Sequence, residues 1–202
     1  MPMLLAAGLA AALLHLTPGR AEADDGPAKM IGESSTWIMR GVPPALTLFG
    51  GKKEERIGRR MMDAGIAATL ATEALKRVTR QPRPDDPTSE SGFPSGHASA
   101  AWALAEAAGT EDPRLRPYTY TFATAVTWSR VKQKRHTALQ AAAGAALGYA
   151  FARASASSDH GLCGGLFVKE SDPVSASPLA PSWGSPSPSL EKPAITLWET
   201  HW

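Results

Sequence analysis

Ser91-Gly92-Phe93-Pro94-Ser95-Gly96-His97 (SGFPSGH) is the stretch on which the reading of this chain turns. It closes a loop rich in Pro, Asp, Ser and Gly (RQPRPDDPTSESGFPSG) and opens the Ala-rich run HASAAWALAEAAG. A run of breakers followed at once by strong helix formers predicts a helix starting near His97. At such a start the first backbone N–H groups have no helical partner, and the helix dipole favours an anion there. Gly96 brings no side chain to keep an oxyanion away from the backbone.

Working outward, residues 53–78 read as a helix, with apolar residues at three- and four-residue spacing: Ile57, Met61, Ala64, Ala68, Ala71 and Leu75. Asp112-Pro113 and Pro117 mark a break. Residues 118–130 (YTYTFATAVTWSR) favour strand by propensity. No second strand exists to pair with them, and a lone strand is not viable, so a helix is expected. Residues 137–153 form the last helix, and 36–50 (TWIMRGVPPALTLFG) a short helix or docking segment around Pro43-Pro44. The fold expected is all-α: one bundle of about five or six helices, with helix termini converging at one end. There is no internal repeat.

The ends differ in character. Residues 3–16 (MLLAAGLAAALLHL) are an apolar run too short for a membrane span of about 20 residues. Ala21-Glu22-Ala23 then offers small residues at a cleavage site. Residues 1–23 therefore read as a signal peptide, which makes the protein periplasmic or secreted. Residues 24–35 are polar and expected to be a flexible lead-in, and 36–154 to be the folded domain. Residues 155–202 are a Ser/Pro-rich tail expected to be disordered, ending in the aromatic LWETHW.

The 202 residues are 43% hydrophobic, enough for one helical domain with a real core. Net charge is +2, so composition points to neither nucleic acid nor an acidic partner. Mean hydropathy is −0.19, far from a multi-span membrane protein. The single cysteine, Cys163, excludes an intrachain disulfide and reads as an incidental thiol.

Three blocks hold the chemistry: Lys76-x6-Arg83-Pro84, Pro94-Ser95-Gly96-His97, and Ser129-Arg130-x5-His136. Lys76, Arg83 and Arg130 lie beside loops or helix ends rather than along one helical face. Guanidinium forks bind phosphate oxygens in pairs, and Lys adds a point charge. His97 and His136 can serve as acid and nucleophile near neutral pH. No Asp, Glu or His cluster has metal-ligand spacing, so neither metal nor other cofactor is expected. Taken singly these features are ordinary, because a cation at a helix end is usually a solvated charge and a lone histidine is usually structural. In three ordered blocks they make a phosphate cradle with proton-transfer groups.

The blocks resemble the type-2 phosphatidic acid phosphatase superfamily, which also holds bacterial nonspecific acid phosphatases and vanadium haloperoxidases. The resemblance spans about residues 60–150. It implies His136 as nucleophile, forming a phosphohistidine, and His97 as the general acid. It implies Lys76, Arg83, Ser95, Gly96 and Arg130 as holders of the phosphoryl oxygens, without a metal. The implied activity is hydrolysis of phosphate monoesters or diphosphates, with a phosphorylated small molecule or a lipid phosphate as partner. Low hydropathy favours small soluble monoesters, and the Ala-rich helices leave room for peripheral contact with a membrane.

One position departs from the pattern. The family's Asp four residues after the nucleophile is Gln140 here. Residues i and i+4 share a helical face, so Gln140 is expected to orient His136 through its carbonyl oxygen, without adding charge. Two other readings stay open on the sequence. A vanadate-dependent peroxidase would use the same cradle, and a non-catalytic phosphate binder would explain Gln140. Of the remaining candidates, Asp85-Asp86 could close the site or contact Arg83, and Trp102 and Trp128 read as core.

Overall fold

The computed structural model describes residues 26–168. It contains five α-helices: α1 (Gly26–Phe49), α2 (Lys52–Thr79), α3 (Gly96–Glu111), α4 (Arg116–Lys132) and α5 (Ala138–Ala156). A 3-10 turn, Pro113–Leu115, joins α3 to α4. No strand occurs among the described residues, so the bundle expected from the sequence is the fold, with residues 118–130 helical.

Local chemistry sets the helix ends. α2 carries Glu54 and Glu55 in its first turn and Lys76 and Arg77 in its last, matching the macrodipole at both ends. Ser95 caps α3, its hydroxyl accepting the Ala98 N–H. Thr137 and Gln140 form a capping box at the start of α5, each side chain accepting the other's backbone N–H. Asp112 stops α3 and caps the 3-10 turn through the Arg114 N–H.

α3 lies in the middle of the bundle, packed against α2, α4 and α5. Almost every residue from Ala98 to Glu111 is buried, which its alanines permit on all sides. Its contact with α5 is the most extensive in the fold because two glycines face it. A Cβ on Gly144 would stand 2.3 Å from the Ser95 carbonyl oxygen, and one on Gly148 2.0 Å from that of Ser99. Ile57, Met61, Ala64 and Ala68 of α2 join Ala103, Leu104, Ala107 and Ala108 of α3 in the main core. The buried stripe of α2 ends on Thr72, which donates to Ser99 Oγ at 3.0 Å, while Leu75 is exposed. Trp102 packs on Tyr120 and donates to Thr127, whereas Trp128 is half exposed rather than core.

Two sequence boundaries move. The stretch expected to be a flexible lead-in is helical from Gly26, because Ala28, Gly32 and Ser35 are small enough to bury against the bundle. The folded domain also runs past residue 154. Asp63, fully buried on α2, accepts the Ser155 hydroxyl at 2.5 Å and the backbone N–H groups of Leu162 and Cys163 at 2.8 Å each. That carboxylate straps the turn after α5 to α2, and Val168 is buried beyond it. The Cys163 thiol lies in this strap, its pKa raised by burial and by Asp63. The expected signal peptide, 1–23, and the tail from 169 onward lie outside the described residues.

Candidate active site

The three sequence blocks meet where the C-terminal end of α2, the start of α3, the C-terminal end of α4 and the loop before α5 come together. Lys76, Arg83, Gly96, His97, Arg130 and His136 all line one groove of about 620 Å³. Ser95 is wholly buried beneath it as the α3 cap and is not among the lining residues. Gly96 has a steric reason: a Cβ there would stand 3.3 Å from Lys76 Nζ.

His136 is buried, and its Nδ1 lies 2.8 Å from the Gly92 carbonyl oxygen. A carbonyl only accepts, so Nδ1 carries the proton and Nε2 holds the lone pair of the neutral ring. Burial pushes the His136 pKa down to about 4; the Gly92 bond, the next largest effect, raises it, and Arg83, Arg130 and Lys76 each lower it further. His97 is likewise pushed down to about 4, by burial, then by Arg130, His136, Lys76 and Arg83. With pKa values that low, both rings are neutral at physiological pH. The tautomer of His136 is that of a nucleophile at Nε2.

Two of the cations carry unsatisfied buried donors. Arg83 Nε and Arg130 Nε are buried donors without a hydrogen-bond partner among the described residues. Arg56 Nε and Arg116 Nε share that property, but both guanidinium groups sit in ion pairs, with Glu111 and Glu106. Buried orphan donors are costly, and charged ones more so, unless a ligand satisfies them. Lys76 is held by Glu73 at 2.6 Å on the groove wall. Asp85 pairs with Arg135 at 3.0 Å rather than with Arg83, whereas Asp86 and Arg83 each donate a backbone N–H to the other's carbonyl at 3.3 Å, and the Asp86 carboxylate accepts from the hydroxyl and N–H of Thr88.

Gln140 does not orient His136 as the sequence suggested. Its Oε1 accepts the Thr137 N–H at 3.1 Å, its Nε2 donates to the Pro82 carbonyl at 3.1 Å, and its own carbonyl accepts the Ser95 N–H at 2.9 Å. The capping box turns the side chain toward the helix start, and the Gly92 carbonyl takes the place beside the ring. Gln140 thus clamps the loop that presents Gly92, and Gly92 N–H is tied in turn to the Gln81 carbonyl at 2.7 Å. An amide is needed for this, because it both donates and accepts. Gln140→Asp is therefore expected to lower kcat by about tenfold through loop displacement rather than to raise it. Turnover above wild type in this variant would return the orienting role to position 140.

Sequence reasoning missed three participants. Gly92 acts through its carbonyl, which no side-chain pattern signals. Thr36 Oγ1 lies 3.1 Å from His97 Nε2. Gly32 makes room for Arg130 Nη1, which would stand 2.9 Å from a Cβ there. Gly32 belongs to the stretch read as a lead-in, and Thr36 opens the segment read as a short helix or docking segment. Their four-residue spacing, continued back to Ala28, was the available signal of a close-packed helical face.

Among the described residues no group of three or more His, Cys, Asp or Glu is placed to hold a metal ion. No helix among them is long and apolar enough to cross a membrane. The site as a whole brings unpartnered guanidinium donors, a helix N-terminus and two neutral histidines onto one groove of an all-α bundle, an arrangement suited to an anion. The family model described as PAP2 superfamily matches residues 64–160. The chain thus carries a domain of the PAP2 superfamily, the type-2 phosphatidic acid phosphatases, whose members are generally phosphoric ester hydrolases. Searches of curated proteins and of solved structures return no match.

Proposed function

We propose that this protein is a metal-independent phosphatase that works through a phosphohistidine on His136. The observation that carries the proposal is the pair of orphan guanidinium donors beside a buried histidine whose lone pair is fixed on Nε2. In the first step Nε2 of His136 attacks phosphorus and the ester P–O bond breaks. The leaving oxygen takes a proton from His97. Water then attacks the phosphohistidine, giving its proton to His97, and the P–N bond breaks to release inorganic phosphate. Arg83, Arg130, Lys76 and the α3 N-terminus hold charge on the equatorial oxygens throughout.

The groove refines the substrate. Beyond the cradle it runs between α1 and α2 and is lined by Met39, Pro43, Met62, Ile66, Leu70 and Leu104. Such a wall fits an apolar leaving group better than the small soluble ester that hydropathy favours, and methionines adapt to flexible chains. The test is a series of linear alkyl phosphates with the full chain and excess chelator. Each buried methylene is worth about 0.8 kcal/mol, close to fourfold. We expect kcat/KM to rise at least about twofold per added carbon until the groove is filled. A flat series, or turnover that chelator removes, would sink the reading. The N-terminal run and Ala21-Glu22-Ala23 support export of this activity. In a bacterial host the exported product should begin at Asp24 by intact mass, and an uncleaved cytoplasmic product would contradict it.

A further inference from the structure

α1 precedes the family-matched stretch, yet it touches the site at three points along one face. The Ala28 carbonyl accepts Gln133 Nε2 at 2.8 Å. Gly32 leaves open the space taken by Arg130 Nη1 and Gln133 Nε2. Thr36 meets His97 Nε2. Residues 28, 32 and 36 follow one another at four-residue spacing, so a single helical face is keyed to the end of α4 and to the first turn of α3. Thr36, His97 and Arg130 also line a second, polar pocket of about 470 Å³ next to the groove. They form the wall between the two spaces.

We propose that Thr36 is a positioning residue for His97, its hydroxyl holding the imidazole and stabilising its charged form. The proposal rests on the phosphatase reading, in which His97 gives up and regains a proton. A hydroxyl suits this position because it donates to a bare Nε2 and accepts from a protonated one. The ring therefore keeps its bond in both charge states, and the bond to the charged ring is the stronger. The charged and titratable groups that line the two spaces with His97 are Glu73 and Lys76 of α2, Arg83 and Asp85 of the loop, Arg130 of α4, Arg135 and His136, and Lys29, Glu33 and Arg40 of α1. Lys76, Arg83, Arg130 and His136 all act against a proton on the ring. A carboxylate at position 36 would offset them, but it would also repel the phosphoryl group. A neutral hydroxyl favours the imidazolium without that repulsion.

The test compares Thr36→Val, which keeps the shape and removes the hydroxyl, with Thr36→Ser, which keeps the hydroxyl. Thr36→Val should lower kcat by about tenfold and leave KM within about twofold. It should also lower the His97 pKa in the substrate complex. The acid then loses its proton at lower pH, and the alkaline limb of the kcat profile moves down by about half a unit. Thr36→Ser should recover most of both effects. Wild-type kcat and pH limb in the Val variant, or a Ser variant as impaired as Val, would overturn the assignment. If Val fails to fold, Thr36→Ala supplies the same loss. The His97 titration, followed by NMR of ring nitrogens in the ligand-free full chain, separates this proposal from the activity reading. Loss of the hydroxyl should lower its midpoint, and an unchanged midpoint overturns the Thr36 role even if wild type hydrolyses nothing. Wild-type inactivity on every ester counts against the phosphatase reading alone.

Discussion

Replacement of His136 by Ala is expected to lower kcat by at least about 10⁴-fold, because His136 is the histidine whose Nε2 lone pair is fixed by a backbone bond at Nδ1, while His97 is engaged by Thr36 and serves as the acid. Binding of inorganic phosphate should persist within about threefold, since Arg83, Arg130, Lys76 and the α3 N-terminus are untouched. His97→Ala should behave differently. General acid catalysis is worth about 10²–10⁴-fold, and the loss depends on how much the leaving oxygen needs a proton. With an alkyl phosphate the loss should lie at the upper end. With para-nitrophenyl phosphate, whose leaving group departs as an anion, it should be small. A His136→Ala variant that still turns over would place the nucleophile elsewhere.

The proton balance of the same site predicts an acidic optimum. With both imidazoles near pKa 4, neither brings a proton at neutral pH. A phosphate monoester has a second pKa of about 6 and is a monoanion below it. The monoanion carries in the one proton that His97 must deliver. Bound anionic charge then offsets the three cations and raises the His97 pKa. As pH rises through the substrate's second pKa the dianion arrives without that proton, so kcat/KM should fall.

Gly148→Ala is the substitution with the largest expected effect on stability. Its new Cβ would stand 2.0 Å from the Ser99 carbonyl oxygen and 2.9 Å from the Ala103 nitrogen. Both are backbone atoms and cannot rotate away, so α3 and α5 must separate. Overpacking of this kind costs roughly 3 kcal/mol. Alanine's better helix propensity returns about 1 kcal/mol. The net loss of roughly 2 kcal/mol corresponds to a Tm drop of about 6 °C for a domain of this size. Gly41→Ala is the control. It lies inside α1 with nothing within 4 Å of its Cβ, so propensity acts alone and stability should rise by up to about 1 kcal/mol. Equal Tm values for the two variants would show that the α3–α5 contact relaxes freely.

Much of this was legible in the sequence, for definable reasons. The helices announced themselves through breakers at Pro84, Pro94, Pro113 and Pro117 and through the spacing of Ile57, Met61, Ala64 and Ala68. Lys76, Arg83, His97, Arg130 and His136 could be read as one group because their types and local spacings are distinctive, and the fold brings all five to one groove. Three things were hidden. The Gly92 carbonyl has no residue-type signature. Gln140 is drawn into a capping box, a local competition that i to i+4 geometry does not reveal. Gly26–Ser35 is polar because one face meets solvent, while its fully buried positions, Ala28, Gly32 and Ser35, are all small and only the half-buried Ile31 adds an apolar contact.

The contact between α3 and α5 is made by main chain against main chain, and it has an evolutionary consequence. His97 stands at the start of one of these helices and His136 just before the other, so their separation is set by two backbones with little side chain between them. Exchanging core residues elsewhere leaves this spacing almost unchanged. The groove between α1 and α2 is bounded by side chains alone and can be widened, shortened or made polar one residue at a time. The fold thus separates a part resistant to drift, where phosphorus would react, from a part open to innovation, where the rest of the substrate would lie.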